Sequence, residues 1–195
     1  MVDPLLPDAE KVAALREALP ATGAGIYLDT ATRGPLPAET AAAMREADEW
    51  ELRVGRATAG RSEDVEQRAE EARAVLAALV TAQPNEIALF PAVAVALSVA
   101  AWAPDWRPGD RVLTTSQDGP AVLSALTALR DRLAVEVDVV DVPDLAPPDA
   151  LVAALDASMT ARTRLVMVSH VTPDTGRRTP LEAVADIAHR HGAWL

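Results

Sequence analysis

From residue 87 onward the chain repeats one rhythm: a short apolar run, a turn, then a helical stretch of about a dozen residues. Strands are expected at 87–90, 111–115, 134–142 and 164–170, and helices at 93–102, 120–133, 147–157 and 180–191. In 134–142, Val135, Val137 and Val139 alternate with Glu136 and Asp138 as in a half-exposed strand, whereas 165–168 is continuously apolar. Ala193, Trp194 and Leu195 begin one more strand. Antiparallel strands can be joined by two-residue turns, but parallel strands need a crossover of a dozen residues or so. The rhythm therefore predicts parallel βαβ units and an α/β fold.

The first part of the chain is more helical. A helix is expected at 8–19, with Val12, Leu15 and Leu19 on one face. Gly23 and Gly25 interrupt it, and Ile26, Tyr27 and Leu28 read as a short strand. Pro37 suits the first turn of a helix over 38–54, closed by Gly55 and Gly60. Ser62 is the expected N-cap of a helix reaching residue 81, with an apolar face of Val65, Ala69, Ala72, Leu76 and Leu79. No repeat or low-complexity tract is present, and 143–148 reads as a loop and not as a linker. Residues 1–20 form an N-terminal helical segment, and 21–195 belong to one domain. A strand cut off at Leu195 points to part of a longer fold.

With 50% hydrophobic residues the chain can bury a sizeable core, so general disorder is excluded. It carries 18 basic and 29 acidic side chains, a net charge of −11, which opposes nucleic-acid backbones and anionic membranes as partners. The longest apolar run, 92–103, is broken by Ser98 and falls short of the roughly 18 residues that span a bilayer. The first residues lack a signal-peptide pattern, so a cytoplasmic location is expected. Cysteine is absent, which removes disulfides and thiolate chemistry. Of the 18 basic residues only Lys11 is a lysine.

Few ordinary catalytic patterns are present. No nucleophile elbow, Walker loop or dinucleotide fingerprint occurs. His189 and His191 lie two apart on a helix, face different ways and suit its negative C-terminal end. No metal site is expected. In an open α/β sheet, ligands bind in the loops that follow the strands. Those loops are 29–34, 91–93, 116–119 and 171–178, where an anionic ligand would meet arginines, hydroxyls and free helix N-termini.

These loops, in their order and spacing, resemble the class V aminotransferase family of pyridoxal-phosphate enzymes, which includes cysteine desulfurases and related carbon–sulfur lyases. The resemblance rests on Tyr27-Leu28-Asp29-Thr30-Ala31 with Pro35-Leu36-Pro37, on 86–98, and on Gly109-Asp110-Arg111-Val112-Leu113. It continues through Asp118-Gly119-Pro120-Ala121, Ser169-His170-Val171, Thr175-Gly176 and 188–193. It implies a three-layer fold with a mostly parallel sheet, the incomplete large domain of an aspartate-aminotransferase-like enzyme. It also implies pyridoxal 5'-phosphate held by Ala92, Val93, Ala94, Gly119, Thr172 and Thr175, with Thr30, Ala31 and Arg33 facing an amino-acid substrate, in a homodimer.

The resemblance places the aspartate that pairs with the cofactor ring, and the lysine that carries the cofactor, in a part of the family pattern beyond residue 195. Lys11 precedes the first matching motif, so this chain alone is not expected to complete the family's chemistry. Three positions depart from the pattern: 91–95 lack the glycine and hydroxyls of the phosphate loop, the stacking position falls on Gly119 or Asp118, and Pro173 replaces an asparagine. Two functions follow. One is part of an enzyme acting on an amino acid by C–S cleavage, epimerisation or transamination; the other is a non-catalytic relative that serves as a binding or scaffold protein.

Overall fold

Val112 and Leu113 are β-branched or large apolar residues with opposite faces to fill, and both are fully buried at the centre of a strand, Arg111–Thr115 (β1). The computed structural model describes residues 8–30, 33–58, 60–144 and 146–195. These divide into two compact units, Met1–Leu89 and Phe90–Leu195.

In the second unit, β1 pairs in parallel with Glu136–Val140 (β2) on one side and Thr163–Val166 (β3) on the other. Val112 lies opposite Val137 and Leu165, and Leu113 opposite Asp138 and Val166. Beyond β3, Trp194 pairs in parallel with Leu165, as expected for the start of a strand. The order across the sheet is thus β2, β1, β3, then Trp194.

Helices cover both faces. Val93–Trp102 (α5) and Pro120–Leu133 (α6) pack on one, where Ala101, Val122, Ala125, Leu126 and Leu129 meet Val112, Leu165 and Met167. Pro148–Ser158 (α7) and Leu181–Arg190 (α8) pack on the other, where Leu151, Leu155, Val184 and Ile187 meet Leu113, Val140 and Val166. The result is the expected three-layer α/β unit.

Three strand boundaries move, each for a physical reason. Ala134 has φ +54° and caps α6 in the left-handed region, so β2 starts at Glu136 and not at 134. Its far end stops before 142 because the Val142 N–H donates to Ser116 Oγ at 2.9 Å instead of to a ladder. Likewise β3 ends at Val166 and does not reach 170: Ser169 N–H is taken by a side chain, as described below.

The first unit holds Ala9–Ala18 (α1), Ala21–Ala24 (α2), Ala38–Val54 (α3), Arg61–Val80 (α4) and a 3-10 turn at Pro84–Glu86. Gly60, at φ +85°, is the residue that caps α4, and Ser62 lies inside the first turn. The left-handed conformation needed there explains why glycine, and not the side-chain oxygen of Ser62, starts the helix. The expected apolar face of α4 is not buried: Leu79 is 78% exposed, and Ala77 is the covered residue. The expected strands at 26–28 and 87–90 are irregular and not strands, with Ile26 90% exposed. Apolar runs favour extension, but a strand also needs an edge to pair with, and none is supplied there.

The turn between α3 and α4 is held by charge. Glu51 accepts hydrogen bonds from Arg56 Nε at 2.7 Å and Arg61 Nε at 2.9 Å, and Arg61 sits 6.0 Å from the Trp50 ring centroid. Hydrogen bonding by Arg61, then Arg56, holds the Glu51 carboxyl below the usual carboxylate range. A carboxyl lowered in the folded state stabilises above its ordinary pKa, and that contribution disappears as pH falls through the lowered value. Thermal midpoints measured downward from about pH 5 should therefore fall less steeply in Glu51→Gln than in the parent chain.

The core predicts a contrast as well. Leu113→Ala, at a fully buried position, should cost about 2–5 kcal/mol in urea unfolding. Leu79→Ala, at an exposed one, should stay within about 0.5 kcal/mol.

Candidate functional site at the C-terminal edge of the sheet

Strand order defines where a ligand can enter. The connection leaving β1 runs through α6 to β2 on one side, while the connection leaving β3 runs through α8 to Trp194 on the other. Between the C-terminal ends of β1 and β3 the two chains diverge, which opens the crevice where α/β sheets bind ligands.

Helix α5 packs on the same sheet face as α6. Its C-terminus leads toward the N-terminal edge of the sheet: Trp106 Nε1 donates to Ala101 O at 2.8 Å, and Gly109 N–H donates to Ala134 O at 2.9 Å, just ahead of β2. Ala92 is its N-cap in extended conformation, and Val93 and Ala94 open its first turn. No side chain caps this N-terminus, so its first N–H groups point outward for an anion. The opposite edge of the sheet is closed by ion pairs, with Arg111 on Asp138 at 2.6 Å and Arg162 on Glu136 at 3.3 Å.

Gly119 is the N-cap of α6, again with no side-chain cap, and Pro120 fills the first helical position. Its φ of −71° is ordinary, and a Cβ there would lie 3.7 Å from Pro173 Cγ, an ordinary contact. The loop after β1 thus lies against the loop after β3.

That second loop is a tight hairpin. Val171 pairs antiparallel with Arg178, Thr172 N–H donates to Arg177 O at 2.9 Å, and Gly176 takes φ +67°. Thr172 is buried, its hydroxyl lies 2.5 Å from that of Thr175, and it also accepts from Arg177 N–H at 3.1 Å. Both hydroxyls are therefore engaged in shaping the loop. Arg177 turns away from the crevice and donates to Asp144 O at 2.7 Å and to Ala146 O.

Of the six residues expected at a cofactor, Gly119, Thr172 and Thr175 lie in the loops that follow β1 and β3, and Ala92, Val93 and Ala94 open α5, all in the second unit. Thr30 and Arg33 belong to the first unit, where Tyr27 Oη donates to Arg33 O at 2.5 Å, and Ala31 lies outside the described residues. His191 caps the C-terminus of α8, and Arg190 pairs with Asp156 at 3.2 Å, in line with the role expected of that basic helix end.

Sequence reasoning missed Asp118. Its Oδ2 accepts from Thr114 Oγ1 at 3.0 Å, Thr115 N–H at 2.9 Å and Thr115 Oγ1 at 2.7 Å. Its Oδ1 accepts from Ser169 N–H at 2.6 Å, across the crevice. The available signal was two adjacent threonines ending an apolar strand, whose buried hydroxyls need an acceptor. Gln117 was missed too; its Nε2 donates to Val142 O at 3.1 Å and Pro143 O at 3.0 Å, which adds the end of β2 to the same assembly.

The fold has close counterparts. A lysine-to-alanine mutant of C-DES with glycine covalently linked to its PLP cofactor superposes with a TM-score of 0.80 at 22% identity, covering 97% of this chain and 48% of that one. The apo structure of a cysteine desulfurase from Thermococcus onnurineus gives a TM-score of 0.76 at 22% identity, covering 100% and 48%. Among curated proteins, a "probable cysteine desulfurase" of Methanothermobacter thermautotrophicus is 28% identical over 182 residues, 92% of this chain and 44% of that protein. One from Halobacterium salinarum is 29% identical over 175 residues, 87% and 42%. The chain thus spans less than half the length of the curated relatives it matches. The model of the family "Aminotransferase class-V" matches residues 26–195, nearly the whole chain, and the protein belongs to that family.

Proposed function

We propose that this chain forms the phosphate side of a pyridoxal 5'-phosphate site in an enzyme that acts on an amino acid, with C–S bond cleavage as the favoured reaction. The observation that carries this reading is the close approach of the α6 N-cap at Gly119 to the Thr172–Thr175 loop, where β1 and β3 diverge, with Asp118 bonded across to Ser169; Ala92, Val93 and Ala94 at the start of α5 are proposed to complete the seat. Both curated relatives are described as probable cysteine desulfurases, which favours an enzyme over a scaffold.

The residues present fit one half of the cofactor's needs. Two helix N-termini without side-chain caps offer positive dipole ends to a phosphate, α5 with the Val93 and Ala94 N–H groups and α6, whose first position is Pro120, with the Ala121 N–H. The loss of glycine and hydroxyls from 91–95 does not remove those N–H groups. Thr172 and Thr175 hold the 171–178 loop in shape beside them. The amine that carries the cofactor is not supplied here, because residues 26–195 contain no lysine. When bound, the cofactor supplies the electron sink for amino-acid chemistry. The contribution of this chain is to seat the phosphate and to orient the ring from one side. Thr30 and Arg33 are proposed to face the substrate carboxylate, and a homodimer is the proposed assembly.

The test is a titration of the 195-residue chain with pyridoxal phosphate, followed by tryptophan fluorescence and by absorbance. Reversible binding that inorganic phosphate competes away, with no cofactor attached to 26–195 after borohydride treatment and mass spectrometry, is the expected result. Thr172→Val and Thr175→Val should each weaken binding by roughly tenfold, since each removes a hydrogen bond that shapes the loop. A chain that takes up no pyridoxal phosphate, or one whose uptake ignores phosphate, would sink this reading.

A further inference from the structure

Asp118 is, among the described residues, the one acidic or basic residue that is buried, at 7% exposure. Seating a phosphate on helix N-termini leaves its carboxylate without a task. All four donors that reach it are uncharged, two backbone N–H groups and two hydroxyls. A buried carboxylate held in this way has to offset a large desolvation cost, so neutral packing would be the simpler solution unless the geometry it fixes matters.

That geometry is specific. Ser169 lies 51 positions along the chain from Asp118, yet the bond between them is 2.6 Å. Ser169 in turn accepts from Thr179 Oγ1 at 2.5 Å, and His170 O accepts from Thr179 N–H at 2.6 Å. The near and far ends of the Thr172 loop are therefore both referred to Ser169, and Ser169 is referred to Asp118. Gly119, the N-cap of α6, is the very next residue. One carboxylate thus sets the separation between the α6 N-terminus and the Thr172 loop.

We propose that Asp118 is the positioning residue of this seat: it locks the loop after β1 to the loop after β3 so that both present their donors to one phosphate-bearing ligand. This rests on the reading of the seat as a pyridoxal-phosphate site. Each of its oxygens faces a backbone N–H, which cannot rotate or reverse its polarity. Asp118→Asn is isosteric, but either orientation of the amide turns an NH2 against one of those N–H groups. The replacement should therefore spread the loops without emptying the core.

Three measurements on the 195-residue chain decide the matter: the dissociation constant for pyridoxal phosphate, hydrogen exchange at the Ser169 amide without ligand, and the urea midpoint. Asp118→Asn is expected to raise the dissociation constant by about tenfold or more and to speed exchange at Ser169. Thr115→Val removes one hydroxyl but leaves both N–H contacts, so it should fold in any case and raise the constant by only about two- to fivefold. A merely structural carboxylate would lower the urea midpoint of both variants while the folded proteins kept the parent affinity, and that result would overturn the proposal. So would unchanged exchange at Ser169. Should the parent chain itself fail to bind pyridoxal phosphate, the reading of the seat falls and the positioning role falls with it. The parent titration alone separates that case from a failure of Asp118.

Discussion

Parallel pairing on both sides of β1 is the constraint from which the rest of the second unit follows. Parallel neighbours cannot be joined by a tight turn, so each strand must send its chain over one face of the sheet and back. Helices on both faces are the consequence, and the core divides into the two clusters separated by Val112 and Leu113. All strands then end at the same edge. With β1 in the centre, the connection leaving it and the connection leaving β3 diverge, and a crevice opens between them.

A crevice between diverging chains is also where a sheet has least to hold it together. The last inter-strand backbone bonds come from Ser116 N–H to Val140 O and from Met167 N–H to Leu113 O, and the chains beyond them have opposite destinations. Side chains take over: Asp118 joins the ends of β1 and β3, Gln117 and Ser116 join the ends of β1 and β2, and Thr179 returns the far loop to Ser169. Asp118, Gln117 and Thr179 are buried and each is satisfied by a partner, so the low dielectric that makes such groups costly alone makes them stiff together.

The legibility of the sequence follows the same division. Helices α5 and α6 and strand β1 lie at their expected residues, because their boundaries are written locally: Pro120 opens a helix, and an apolar run between Asp110 and Ser116 makes a buried strand. The loops 116–119 and 171–178 follow β1 and β3, as the alternation of strands and helices indicated. What could not be read was set by distant partners. The runs at 26–28 and 87–90 have the composition of strands but no edge to join, and an edge is not a local property. The early end of β3 depends on a carboxylate 51 positions away, and so does the role of Asp118 itself. The apolar side of α4 was legible as a stripe, but its exposure in the first unit was not, because periodicity identifies a face and not what covers it.

The lone lysine connects this architecture to chemistry. In a chain whose other 17 basic residues are arginine, positive charge is available for pairing and for capping carbonyls, as Arg177 does at Asp144 and Ala146, but not as a nucleophilic amine. The seat built at the sheet edge needs neither kind of side chain, since helix N-termini bind an anion through backbone N–H groups that no substitution short of proline removes. In the proposed seat, phosphate recognition does not depend on glycine or hydroxyls at 91–95. Covalent attachment depends instead on one lysine side chain, and residues 26–195 hold none. On the proposed reading the two halves of cofactor chemistry have different physical carriers, backbone in one case and a single amine in the other, and residues 26–195 supply the backbone donors.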